Sequence, residues 1–169
     1  MKKSHFNQFL KFFPEIELPI VLDDEIHHTF STENETLPLA AVSEILLQPT
    51  NENEATVAIE DEFTEFVPCF KLPDTGDIHA LVYWRAELLN YNYFLITFDK
   101  IGNKIDEKII GGMTVKGNEV RQRVASIDED GFIYMAEGNA VYSHTDFDAG
   151  DSKSYKMELR TDGYIQVFN

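Results

Sequence analysis

A chain of 169 residues that sets 30 Asp and Glu against 14 Lys and Arg has a formal charge of −16 at pH 7. Such a charge repels phosphate backbones and anionic membrane surfaces, which argues against a nucleic-acid or membrane-surface role. A hydrophobic share of 43% with 13 Phe and 7 Tyr supplies the core of one domain, residues 1–169, and excludes a wholly disordered chain.

Phe6, Phe9, Leu10 and Phe13 recur at helical spacing, which predicts an amphipathic helix capped by Ser4 and ended by Pro14. Met1–Lys3 gives this end a basic start, but Asn7, Gln8 and Lys11 interrupt the apolar run, as a targeting segment would not allow. No stretch reaches the roughly 18 apolar residues of a membrane span, so the expected location is the cytoplasm. Pro14 and Pro19 bracket an extended piece, Glu15–Leu18, and Asp23-Asp24-Glu25 reads as the start of a short helix ending near Phe30. Pro38 opens another short helix through Leu47, with Leu39, Val42, Ile45 and Leu46 as its apolar stripe. Gln48–Ala55 is a polar loop. Cys69 is the only cysteine, so neither an intramolecular disulfide nor a Cys-based zinc site is available, and its neighbours Phe66, Val67 and Phe70 predict a small buried side chain.

From about residue 65 the pattern changes to strands. Ala80–Trp84, Tyr91–Phe98, Lys104–Ile110, Val120–Ile127, Phe132–Ala136, Val141–His144, Tyr155–Leu159 and Tyr164–Phe168 are rich in β-formers. The joints between them hold Gly with Asp or Asn, as in Asp130-Gly131 and Asp162-Gly163, which predicts an antiparallel meander of hairpins. The fold class is therefore α+β: short N-terminal helices (1–50) cover a twisted antiparallel sheet (65–169) that has the option of closing into a partial barrel. Gly102, Gly131 and Gly163 end similar strand–turn units, an internal echo that turn chemistry explains without a repeat architecture. The hairpin Phe94–Asp106, together with Phe13-Pro14-Glu15-Ile16-Glu17-Leu18-Pro19, resembles segments of a loosely defined set of small uncharacterised bacterial proteins. That resemblance implies the hairpin fold and a bacterial origin, and brings no catalytic residue with it.

Charge is distributed unevenly. Between Phe12 and Phe70 there are 14 acidic residues and no Lys or Arg over 59 positions. Such a surface attracts a basic protein, which leads to a non-enzymatic acidic binding protein, an immunity- or antitoxin-like inhibitor being its concrete form. Glu52, Glu54, Glu60, Asp61, Glu62 and Glu65 are its candidate contact residues, and Asp23–Glu35 is the other acidic segment. The alternative is a small-molecule or cation-binding domain with an aromatic-lined pocket formed by Tyr83, Trp84, Tyr91 and Tyr93. Asp146, Asp148 and Asp151 alternate before and after Gly150 as in a loop cation site, but Ala149 and Lys156 occupy positions where an EF-hand needs oxygen ligands. His27 and His28 are adjacent, a poor geometry for chelating one ion, and the remaining histidines are scattered. No nucleophile elbow and no phosphate-binding loop is present, so no catalytic residue and no cofactor are expected.

Overall fold

The computed structural model describes residues 2–49, 63–141 and 152–168. Its helices are α1 (Lys2–Leu10), α2 (Ile26–Glu33) and α3 (Leu39–Ala41), the last continuing into a π-helical turn, Val42–Leu46. The strands are β1 (Ile20–Leu22), β2 (Glu65–Lys71), β3 (His79–Ala86), β4 (Asn90–Phe98), β5 (Lys104–Lys116), β6 (Glu119–Ile127), β7 (Ile133–Val141), β8 (Lys153–Leu159) and β9 (Ile165–Phe168). They form one antiparallel sheet in the order β2-β3-β4-β5-β6-β7-β8-β9, with β1 attached to β6. The meander read from the sequence is thus present.

Three of the hairpins, β4–β5, β6–β7 and β8–β9, reuse one turn. Asp99 N–H donates to Asn103 O while Asp99 Oδ1 accepts the N–H groups of Ile101 and Asn103. Asp128 repeats this with Phe132 and Asp130, and Arg160 N–H donates to Tyr164 O in the third turn. The echo in the sequence is this turn chemistry.

β3 and β4 are buried on both faces, which decides how the rest of the chain is placed. One face carries Leu81, Tyr83, Ile96 and Phe98, covered by Phe6, Phe9 and Phe13 from α1 and its following turn, and by Leu37, Val42, Ile45 and Leu46. The other carries Val82, Trp84, Tyr93 and Leu95, and packs with Leu22, Phe30, Ile127, Ile133, Met135, Met157 and Ile165. Phe6 lies 5.0 Å from Phe98 between ring centroids and sits against Gly102, where a Cβ would meet its Cγ at 2.7 Å. Cys69 is buried, as its neighbours imply, and burial pushes its thiol well up.

The sheet forks at its centre. β4 pairs with β5 along most of their length, from Asn90↔Thr114 to Phe98↔Lys104. β6 pairs with β5 only from Gly112↔Arg123 to Lys116↔Glu119; beyond that it takes β1 instead, through Leu22↔Ala125 and Ile20↔Ile127. A bulge between Tyr93 and Phe94 marks the divergence. Gly112 makes it sterically feasible, since its φ is 121° and a Cβ there would lie 1.9 Å from the Tyr91 carbonyl oxygen.

Several expectations are corrected. The sheet is open, not a partial barrel. β9 reaches back toward β4 and β5 through side chains, Thr97 Oγ1 donating to Gly163 O (2.6 Å) and Ile165 N–H to Asp106 Oδ2 (2.9 Å). α1 ends at Leu10, and Lys11–Phe13 tightens into i→i−3 bonds, so Phe13 is buried from a turn; Ser4 lies inside the helix rather than capping it. α2 runs past Phe30 to Glu33. Leu39 is 64% exposed because the π-helical turn rotates Val42, Ile45 and Leu46 inward without it. The strand expected at Val141–His144 is the end of β7 at Val141, and 142–144 lies outside the described residues.

Gly112→Ala is expected to cost about 3 kcal/mol or more, since it meets rigid backbone as well as an unfavourable φ. Gly117→Ala also has positive φ but open space, and should cost only about 1–2 kcal/mol. Urea denaturation of both variants measures this; equal losses would contradict the packing at the fork.

Candidate functional site

The corner between β1 and α2 sits directly above the fork. As β1 leaves β6, Asp23 turns back on the chain, and its Oδ1 accepts the N–H groups of Glu25 and Ile26, both at 3.0 Å. This satisfies donors that the start of α2 would otherwise leave open. The first turn of α2 then lays the His27 ring on Trp84, with centroids 4.6 Å apart and planes 11° apart. The His28 ring lies 3.9 Å from that of His27 on the same helix, tilted by 39°. Tyr93 anchors the corner from below, its O–H donating to Asp23 O at 3.4 Å.

Strand register supplies the floor. Trp84 pairs with Tyr93, Tyr91 with Met113, and Met113 with Gln122, which aligns side chains of β3, β4, β5 and β6 on one surface. Trp84 contacts Tyr93 at 4.6 Å and Tyr91 at 6.3 Å between centroids. Above this floor lies a pocket of ≈ 310 Å³, lined by Asp23, Asp24, His27, Trp84, Tyr91, Gly112, Met113, Gln122 and Arg123.

The polar groups around it differ in how far they are satisfied. Arg123 is fixed, its Nε donating to Glu137 Oε2 (3.1 Å) and its Nη1 to Thr114 Oγ1 (3.4 Å). Burial opposes the ionised form of Glu137, but hydrogen bonds and charge from Arg121 and Arg123 outweigh it and hold the carboxyl below the usual range. Among the described residues, the Asp23 and Asp24 carboxylates have no Lys or Arg within ion-pair reach. Burial and then the neighbouring His28 lower the His27 pKa, against the opposing pull of Asp23 and Asp24, so the ring is neutral at pH 7. Its Nδ1 is buried and approaches the Asp24 backbone without a well-formed hydrogen bond.

Of the residues singled out in the sequence, Trp84, Tyr91 and Tyr93 come together here, with Tyr93 fully buried beneath the pocket. Tyr83 does not. Strand alternation sends it to the opposite face, where it stacks on Phe94 and donates its O–H to Glu107 Oε2 at 2.8 Å. Burial and then Glu107 push that phenol well up. Glu65 is exposed at the start of β2, opposite Ala86; Glu52, Glu54, Glu60, Asp61 and Glu62 lie outside the described residues, as do Asp146, Asp148 and Asp151. His27, Met113, Gln122 and Arg123 were not singled out as pocket residues. The pair Gly111-Gly112 within a β-rich run was the available signal, because glycine inside a strand marks a bulge or a close approach.

Among the described residues, no three His, Cys, Asp or Glu side chains are placed to hold a metal ion, and no helix is long and apolar enough to cross a membrane. Comparison of the chain with protein-family models, with curated proteins and with solved structures found no match in any of the three.

The His27 environment has a measurable consequence. The unfolded chain takes up this proton near the ordinary value of about 6.5, and the folded chain only at lower pH. The unfolded state therefore binds more protons in that window, and stability falls as pH drops through it. His79, lowered by burial and then Lys71, contributes in the same sense. His27→Gln should remove part of the stability loss between about pH 7 and pH 5 and leave the His79 share. Urea midpoints across that range, followed by tryptophan emission, test this; an unchanged pH dependence would contradict burial of His27 against Trp84.

Proposed function

We propose that this protein is a non-enzymatic, cytoplasmic binding protein whose recognition element is the aromatic pocket at the fork, and that the pocket takes an organic cation. The observation that carries this reading is the meeting of Trp84 and Tyr91 with two carboxylates, Asp23 and Asp24, that no basic side chain of the described residues neutralises. An ammonium group entering there gains from the negative faces of the rings and from charge-assisted hydrogen bonds in a partly desolvated setting. The volume of ≈ 310 Å³ stands at the lower end of the roughly 300–1,000 Å³ typical of small-molecule sites, which favours a small ligand.

Phenethylammonium is a suitable probe, and Trp84, the only tryptophan, is a built-in reporter. Its titration should change the Trp84 emission, and Asp24→Asn should weaken binding about tenfold, the worth of one charge-assisted hydrogen bond. If the neutral 2-phenylethanol binds as well as the amine, the carboxylates do not select a cation and the reading fails.

A second reading, a basic protein partner held by an immunity- or antitoxin-like acidic surface, is favoured by a separate observation. Glu17, Glu25, Glu33 and Glu35 are exposed around β1 and α2, and among the described residues none has an ion-pair partner. This surface would speed encounter with a cationic protein and lose affinity as salt rises. A basic oligopeptide whose affinity is the same at low and high salt, or is unaffected by joint substitution of Glu25, Glu33 and Glu35 with Gln, would exclude it.

A further inference from the structure

We infer that the cation taken by the fork pocket is a lysine side chain of a partner protein, and that this partner also covers the apolar β3–β4 turn, an inference that rests on the pocket being a cation site. Leu88 and Leu89 form the tip of that turn, 80% and 50% exposed, where polar or turn-forming residues are the rule. The turn is fixed through its backbone. Glu87 N–H donates to Asn90 O (2.8 Å), and Val115 N–H donates to Leu89 O (2.9 Å). Tyr91 O–H donates to Leu88 O at 3.3 Å, so a residue that lines the pocket also holds the tip. Phe63, 79% exposed, precedes Glu65 by two residues, and Glu65 pairs with Ala86 at this same end of the sheet. Large apolar side chains left together in water mark a docking surface more often than single ones do.

Charge decides what covers this surface. Asp23 and Asp24 line the pocket, and Glu25 follows them, exposed, at the start of α2. Among the described residues none of the three has an ion-pair partner. Lys116 and Glu119 stand opposite each other in the β5–β6 hairpin, so their charges cancel. A second copy docked tip to tip would bring two such acidic surfaces together, on chains that each carry −16. A protein segment with a lysine between apolar residues answers both parts of the surface instead. Its ammonium would meet Asp24 and the face of Tyr91, its stem would lie along the apolar floor, and its neighbours would cover Leu88 and Leu89. A free amine fills the pocket and leaves both leucines in water.

Three end-capped pentapeptides, titrated against the unmodified protein through the Trp84 emission, test this: Ala-Leu-Lys-Leu-Ala, the same peptide with both leucines replaced by serine, and the same peptide with norleucine in place of lysine. The first should bind about tenfold more tightly than either of the others. Joint substitution Leu88→Ser and Leu89→Ser should bring the leucine peptide down to the affinity of the serine peptide, while changing that of phenethylammonium by less than twofold. If the leucine and serine peptides bind equally while phenethylammonium binds, the partner inference is overturned and the cation site stands. If the norleucine peptide binds as tightly as the lysine peptide, the lysine is not what is recognised and the inference is overturned. If neither the peptides nor phenethylammonium perturb Trp84, both readings are overturned. Sedimentation of the unmodified protein and the double variant adds the remaining occupant: a dimer that the leucine substitutions dissolve would assign the tip to a second copy and overturn the inference. The comparison of peptides needs no variant, so its outcome does not depend on how a substitution folds.

Discussion

The divergence of β6 from β5 at Gly112 is the constraint on which the rest of this architecture depends. β5 remains on β4 along most of its length, so the two halves of the sheet separate only if the backbone turns sharply where Tyr91, Asn92 and Gly112 crowd together. Any side chain at that position would collide with the neighbouring strand. Once β6 has left, its open edge must be satisfied, and the three residues of β1 do so. Placing β1 there fixes where the chain turns, which in turn sets α2 over Trp84. The pocket is thus the space that the fork opens and α2 only partly fills.

The same constraint organises the charge. Lys100 in the β4–β5 turn and Lys104 and Lys108 in β5 stand beside Asp77, Glu107 and Asp106, and Lys71 stands beside Glu15. Such pairs add little to stability when exposed, but they neutralise their surroundings. The unpaired carboxylates of Asp23 and Asp24, between β1 and α2, therefore set the charge at the pocket, while the Arg123 guanidinium is held by Glu137 and Thr114 on the face of β5 and β6 opposite Met113. The carboxylates and the aromatic floor are held by separate parts of the chain, the β1–α2 corner and strands β3 to β5, that meet at the fork. Burial of β3 and β4 on both faces gives this meeting point a rigid base.

The meander, the short helical cover and the burial of Cys69 were legible in the sequence because each depends on local pattern. Turn residues punctuate the strands, and Phe6, Phe9 and Phe13 repeat at helical spacing. β1 was not legible: Ile20-Val21-Leu22 is too short to show alternation, and its partner lies about a hundred residues away in β6. The π-helical turn escaped for a related reason, since one widened turn does not alter an apolar stripe enough to reveal that Leu39 leaves it. The aromatic cluster was half legible. Strand alternation separates Tyr83 from Trp84, whereas the approach of His27, Met113 and Arg123 depends on pairings that only the assembled sheet defines. The long acidic stretch is densest at Glu52–Glu65, but the described carboxylates beside the aromatic pocket are Asp23 and Asp24.

A structure of the protein crystallised with phenethylammonium tests the central claim most directly. The account predicts the ligand at the fork, its ammonium on Asp24 and its ring against Trp84, Tyr91 and Met113. A ligand bound elsewhere on the molecule, with the fork left empty, would contradict it.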